Sequence, residues 1–255
     1  MENGFSSLYI SRVRLKERGE GKPDSYVFGL PAVRHLGELT LTSPVTFFVG
    51  ENGTGKSTLL EAIAVAFGFN PEGGTRNFNF SSRDTHSPLH RYLTLVKGVK
   101  RPRDGFFLRA ESFYNVATEV EKLDEEDRAM SFGPPLLESY GGTSLHKQSH
   151  GESFLSLMLH RFGGHGLYIL DEPEAALSPA RQFTLLARMA ELVRQDSQFI
   201  IATHSPIVMA YPGADILVLH ADDIRRTPYE QTEHYQLTRQ FLENPERMLR
   251  HLCDE

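Results

Sequence analysis

Cysteine is almost missing from this chain, which carries one, Cys253, near its C-terminal end. A disulfide framework and a cysteine-built zinc site are therefore excluded, and a reducing compartment is the natural setting. Long apolar runs are missing as well: no segment approaches the roughly 18 consecutive apolar residues of a membrane span. The opening stretch, MENGFSSLYISRVRLKERGE, has no continuous apolar core and does not read as a secretory signal. A cytoplasmic protein is expected, one that would meet a membrane only as a peripheral partner. Positive charge is not in excess, because 27 Lys and Arg against 33 Asp and Glu leave a formal net charge of -6. Coating nucleic acid by charge alone is thus disfavoured. The basic cluster VKGVKRPR at 96–103 reads either as a solvated loop or as a contact to phosphate backbones. Internal repeats and low-complexity blocks are absent, and no heptad pattern persists between Ser57 and Ser149, which excludes a long coiled-coil arm.

What is present is an ordinary globular composition, 40% hydrophobic and 24% charged over 255 residues, enough for a sizeable core. SLYISRVRL (7–15) alternates apolar and polar residues as a half-buried strand does. Residues 17–25 are rich in charge, Gly and Pro and read as a loop or hairpin. PVTFFVG (44–50) is a buried strand, and KSTLLEAIAVAFGF (56–69) has helical spacing with Gly68 near its end. RYLTLVKG and DGFFL are further strand candidates, whereas 121–142 is charged and then Pro/Gly-rich. From residue 149 the pattern alternates: helix GESFLSLMLHRF, strand GLYIL, helix SPARQFTLLARMAELVRQ, strands QFIIAT and DILVLH. Such alternation predicts an α/β fold with a mostly parallel sheet flanked by helices, beside an N-terminal antiparallel β part. The tail TEHYQLTRQFLENPERMLRHL predicts one or two helices, with Pro245 suited to a first turn. One domain over 1–255 is expected, with a helical or irregular insertion at about 70–148.

Four short segments carry chemistry. GENGTGKST (50–58) fits G-x-x-x-x-G-K-[ST] in full, after an apolar strand and opening a helix. Asn52, Gly53, Thr54 and Gly55 would turn backbone N–H groups onto phosphate oxygens at a helix N-terminus, with Gly53 and Gly55 supplying positive φ. Lys56 would reach the β- and γ-phosphates, the Ser57 hydroxyl would ligate Mg²⁺, and Thr58 would support the α-phosphate. GLYILDEPEAALSP (166–179) ends a buried strand on two acids, Asp171 and Glu172. Such a pair is costly there without a cation, so Asp171 is the Mg²⁺ candidate and Glu172 the general base for an attacking water; alone, an acid pair can also cap the next turn. QFIIATHSP (198–206) brings His204 to the same carboxyl edge, where a neutral imidazole could contact the γ-phosphate. Finally, SHGES (149–153) puts Ser149, Gly151 and Glu152 at a helix start. A plain N-cap with Glu152 as its capping-box acid fits that turn, and so does a phosphate grip.

In chain order, with the phosphate loop first, then the SHGES turn, the acid pair and the histidine, the segments resemble the ABC-type ATPases, across about 44–210. The resemblance implies ATP and Mg²⁺ as ligands, and a head-to-tail homodimer in which Ser149, Gly151 and Glu152 of one copy grip the γ-phosphate held by the other. It implies catalytic roles for Lys56, Glu172 and His204, and a D-loop at 174–179 crossing the dimer interface. The Ser-x-Gly-Glu turn departs from the common L-S-G-G-Q signature and is similar to the chromosome-maintenance (SMC), RecF and OLD-like branch, as are DEPEAALSP and THSP. Most closely the chain resembles stand-alone predicted AAA/ABC ATPases of bacteria. That likeness implies an ATP-driven dimerisation switch linked to DNA repair or defence, with a nucleic acid or nuclease partner; the alternatives are the nucleotide-binding subunit of a membrane transporter and a non-hydrolysing ATP-dependent binding module. By position Glu111 stands where the family has its Gln loop, as a magnesium or water contact or as an exposed strand-end acid.

Overall fold

A computed structural model describes residues 7–16, 25–75, 87–109, 118 and 150–253. Strand β3 (Val45–Val49) is buried at every position, as a strand covered on both faces must be. Around it lies a six-stranded sheet of order β5-β6-β7-β3-β8-β9, comprising β5 (Asp104–Leu108), β6 (Gly166–Asp171), β7 (Gln198–Ala202), β8 (Asp215–Leu219) and β9 (Ile224–Arg226). All pairings are parallel except β8 with the short edge strand β9. The expected mostly parallel α/β sheet is thus present. So is the antiparallel part, a three-stranded sheet of order β2-β1-β4 built from β1 (Ile10–Leu15), β2 (Glu38–Thr40) and β4 (Leu93–Lys97).

Period-two alternation divides the core. Phe48, Ile169 and Ile200 point to one face of the large sheet, where α2 (Lys56–Phe67) packs between it and Ile10, Val13 and Leu39 of the small sheet. Phe47, Tyr168 and Phe199 point to the other face, against α3 (His150–Ser156) and α4 (Pro179–Arg194). The expected single helix over GESFLSLMLHRF instead widens into a π turn at Leu157–Arg161. Arg188 of α4 supplies a reason, since its guanidinium donates to the Met158 carbonyl (3.2 Å) and the Phe162 carbonyl (2.7 Å). Two tail helices follow, α6 (Glu233–Glu243) and α7 (Pro245–Cys253), with the break at Asn244 and Pro245 opening the second. Between β7 and β8 lies the short α5 (Pro206–Met209), and α1 (Pro31–Arg34) precedes β2; neither is marked in the sequence pattern. Among the described residues no helix is long and apolar enough to cross a membrane.

A buried side chain joins the two sheets. The Gln198 amide, 1% exposed, accepts from the Ile10 N–H (3.0 Å) and donates to the Ile10 carbonyl (2.9 Å), in the manner of a strand neighbour. Replacing it by Ala strands both backbone groups. Gln198→Ala is expected to lower stability by about 2 to 3 kcal/mol, measured by urea unfolding. A change under about 0.5 kcal/mol, the range of a neutral surface site, would mean that the amide does not join the sheets.

Candidate functional site

The loop that follows β3 is shaped by what surrounds it. Gly50 cannot carry a side chain, because a Cβ there would stand 2.4 Å from the Leu219 carbonyl oxygen. Gly55, at φ 93°, turns the chain into α2 while its Cα faces Ala32 and Leu30, where a Cβ would press at 3.2 and 3.3 Å. Gly53 also has a positive φ, 81°. The Thr54 hydroxyl donates to the Glu51 carbonyl (2.8 Å), and the Thr54 carbonyl accepts from the Ala32 N–H (2.9 Å). Lys56 folds back into the loop and donates to the carbonyls of Gly50 (2.7 Å) and Glu51 (2.9 Å). Burial holds its ammonium below the usual lysine range, against the pull of Glu172, Asp171 and Glu51. Asn52 is exposed at the tip, and Ser57 and Thr58 lie on the first turn of α2.

Strand β6 brings the acids to this turn. Ser57 Oγ donates to Asp171 Oδ1 at 3.0 Å, across 114 residues of sequence. Glu172 prolongs the ladder through its N–H to the Ala202 carbonyl (2.9 Å) and then bends to φ 46°, a strained position for a side-chain-bearing residue. Its Oε1 lies 3.6 Å from His204 Nε2, beyond hydrogen-bond reach. Accordingly that nitrogen, although buried, has no hydrogen-bond partner among the described residues.

Sequence reading missed the groups that hold His204. Glu174 Oε1 accepts from the Thr203 hydroxyl (2.7 Å), the His204 N–H (2.7 Å) and the Ser205 N–H (3.2 Å). Ser205 in turn donates to Gln182 of α4 (2.6 Å) and caps α5. Assigned to the D-loop, Glu174 is here an intramolecular clamp on the turn after β7; the only sequence hint is the second acid of D-E-P-E. His234, thirty residues after His204, approaches with its Nε2 at 3.4 Å from His204 Nδ1, and nothing in the sequence announces it. Burial, then the neighbouring His204, pulls His234 below the usual histidine range, while Glu233 and Glu51 act the other way. This histidine also lines a cavity of about 490 Å³ between the phosphate loop (Gly50–Thr54), the end of β8 and the first turn of α6.

Of the remaining expected site residues, Ser149 and Glu111 lie outside the described residues. Gly151 lies in the first turn of α3, and Glu152 is exposed and paired with Arg181 of α4 at 3.1 Å. Arg109, two residues before Glu111, pairs at 2.9 Å with the buried Glu61 of α2. That pair fastens the end of β5 to the helix that carries Lys56. No group of three or more His, Cys, Asp and Glu among the described residues could hold a metal by itself. One hydroxyl, Ser57, and one carboxylate, Asp171, suit a magnesium ion that takes its other ligands from phosphate and water. The Lys56 ammonium, held by loop carbonyls, and His204 Nε2, without a hydrogen-bond partner among the described residues, equally fit a triphosphate.

The fold is that of the P-loop class, a mostly parallel α/β sheet whose central strand runs through a glycine-rich loop into a helix. Two family profiles agree with that class: an AAA domain matches residues 29–124, and "AAA domain, putative AbiEii toxin, Type IV TA system" matches 138–210. The chain is 25% identical to the "Uncharacterized ABC transporter ATP-binding protein" of Haemophilus influenzae over 201 residues, 75% of each chain. It is 27% identical to an energy-coupling factor transporter ATP-binding protein of Methanospirillum hungatei, covering 76% of this chain and half of that one. Solved structures it is similar to include cbiO1 of Clostridium perfringens (16% identity, TM-score 0.46, 97% and 99% of the two chains). The SMC head domain of Thermotoga maritima is another (16% identity, TM-score 0.41, 87% and 100%).

Glu174→Ala removes the acceptor for two backbone N–H groups and a hydroxyl. It is expected to cost about 3 kcal/mol in chemical unfolding, whereas Glu174→Gln, which keeps one oxygen acceptor, should stay within about 1 kcal/mol of the parent. Equal losses in the two variants would show that the clamp does not work through that oxygen.

Proposed function

We propose that this chain binds and hydrolyses ATP and acts as an ATP-driven dimerisation switch. The observation that carries the reading is the convergence, at one sheet edge, of Lys56, the Ser57–Asp171 contact at 3.0 Å, and Glu172 3.6 Å from His204. Lys56 leaves its loop carbonyls for the β- and γ-phosphate oxygens, and the N–H groups of 52–58 with the α2 dipole complete the cradle. Ser57 and Asp171 would hold magnesium, which when bound would offset charge on the transferring phosphoryl group. Glu172 takes a proton from the water that attacks the γ-phosphorus in line, and the bond to the ADP oxygen breaks. His204 Nε2, beside Glu172, donates to the γ-phosphate oxygens and stabilises them.

Ser149, Gly151 and Glu152 of a second copy close the site in trans, and hydrolysis releases that copy. The Ser-x-Gly-Glu and Thr-His-Ser-Pro forms favour work on nucleic acid, in repair or defence, with a nuclease as one class of partner. A second reading, the ATP-binding subunit of a transporter, is favoured by the names of the similar curated proteins. Stimulation of ATP turnover by added DNA supports the first reading; indifference to DNA supports the second.

Lys56→Ala is expected to weaken ATP binding at least about 10-fold by calorimetry, the loss of one charge-assisted phosphate contact; unchanged affinity would remove the phosphate-loop assignment. Glu172→Gln should bind ATP, stop turning it over and elute as a dimer in sizing chromatography. A variant that stays monomeric with ATP and keeps full turnover would remove Glu172 from its role.

A further inference from the structure

His204 is held twice. Its backbone is fixed by Glu174, and its ring is met by His234 from a helix with no place in the chemistry above. That helix begins at a fixed point. Thr232, 1% exposed, donates from Oγ1 to the Tyr229 carbonyl (2.7 Å) and accepts from the Tyr235 N–H (3.3 Å). Tyr229 donates its hydroxyl to the Pro206 carbonyl (2.8 Å), two residues beyond His204. The first turn of α6 is therefore tied to the element that carries the histidine it touches.

Between His204 Nδ1 and His234 Nε2, 3.4 Å apart, one nitrogen must carry the hydrogen and the other the lone pair. If Nδ1 of His204 donated, its Nε2 would present a bare lone pair toward the Glu172 carboxylate at 3.6 Å, which is repulsive. The opposite arrangement makes that contact attractive and leaves an Nε2–H on the Glu172 side of the ring. We propose that His234 is a positioning residue for His204: its Nε2–H donates to His204 Nδ1 and holds His204 in the Nε2–H tautomer, the form able to donate to a phosphate oxygen. Burial keeps His234 toward its neutral form, which is the form this arrangement needs. The proposal rests on the hydrolytic role assigned to His204, and it makes the tail helix a part of the site rather than an appendage.

Ring-nitrogen NMR on the nucleotide-free full chain tests the tautomer without any turnover, with His204→Ala providing the assignment. The parent should show His204 protonated at Nε2, and His234→Phe, which keeps a ring but no donor, should shift it toward a mixture. His204 protonated at Nδ1 in the parent, or a tautomer untouched by His234→Phe, overturns the proposal; the parent spectrum decides even if the Phe variant fails to fold. Turnover gives the second arm: kcat should fall about 10-fold in His234→Phe with KM unchanged, and recover in His234→Gln, whose amide N–H replaces the donor. Recovery with Phe and not with Gln would mean that His234 only packs. If His204→Ala keeps full turnover, the hydrolytic role of His204 fails, whatever the NMR shows of the His234 contact.

Discussion

Parallel register sets Phe48 beside Ala202, and Ala202 beside Asp171. Because β3, β7 and β6 run the same way, the chain leaves all three at one level and on one edge. The phosphate loop, the His204 turn and the acid pair are those three exits. An antiparallel pairing would send one of them to the far side of the molecule. Everything assigned to the site, from the Ser57–Asp171 contact to the approach of His204 on Glu172, requires that shared edge.

Gathering charge at such an edge is unfavourable unless each group has a partner. The described structure meets that condition by local means. Lys56 is satisfied by carbonyls of its own loop, Asp171 by Ser57, and Glu174 by three donors from the end of β7. Two exceptions among the described residues lie near each other: His204 Nε2 and Glu174 Oε2 are buried without hydrogen-bond partners, beside Glu172 at its positive φ, while Thr46 Oγ1 on β3 is a further unpartnered atom and His165 and Asp196 share the positive φ elsewhere.

Behind the edge, the two-sheet arrangement supplies stiffness. Helix α2 is buried on both sides, between the large sheet and the three short strands, so Lys56 and Ser57 project from an element with little freedom. The Gln198 amide and the Arg109–Glu61 pair fix the small sheet and the end of β5 to this frame. On the opposite face α4 supplies Gln182 to the His204 turn, Arg181 to Glu152, and Arg188 to the π turn after α3. One helix therefore connects the histidine turn with the turn assigned to the second phosphate grip.

Most strands, α2, α4 and the phosphate loop were legible because hydrophobic period and motif spacing are local properties. VTFFV can only be a covered strand, and G-x-x-x-x-G-K-[ST] after it can only be a tight turn into a helix. Strands of three residues, β2 and β9, and four-residue helices, α1 and α5, are too short to show a period. Glu174 and His234 were illegible for a different reason. A carboxylate that reaches thirty residues ahead to bind two backbone N–H groups leaves no pattern near itself, and neither does an imidazole that meets another across a folded tail. The sequence by itself determined which residues could meet a phosphate, because residue type and spacing fix loop and helix-start chemistry. Tertiary structure alone decided which of them meet each other and which otherwise silent side chains hold them, because those contacts exist only once parallel strands have brought distant segments to one edge.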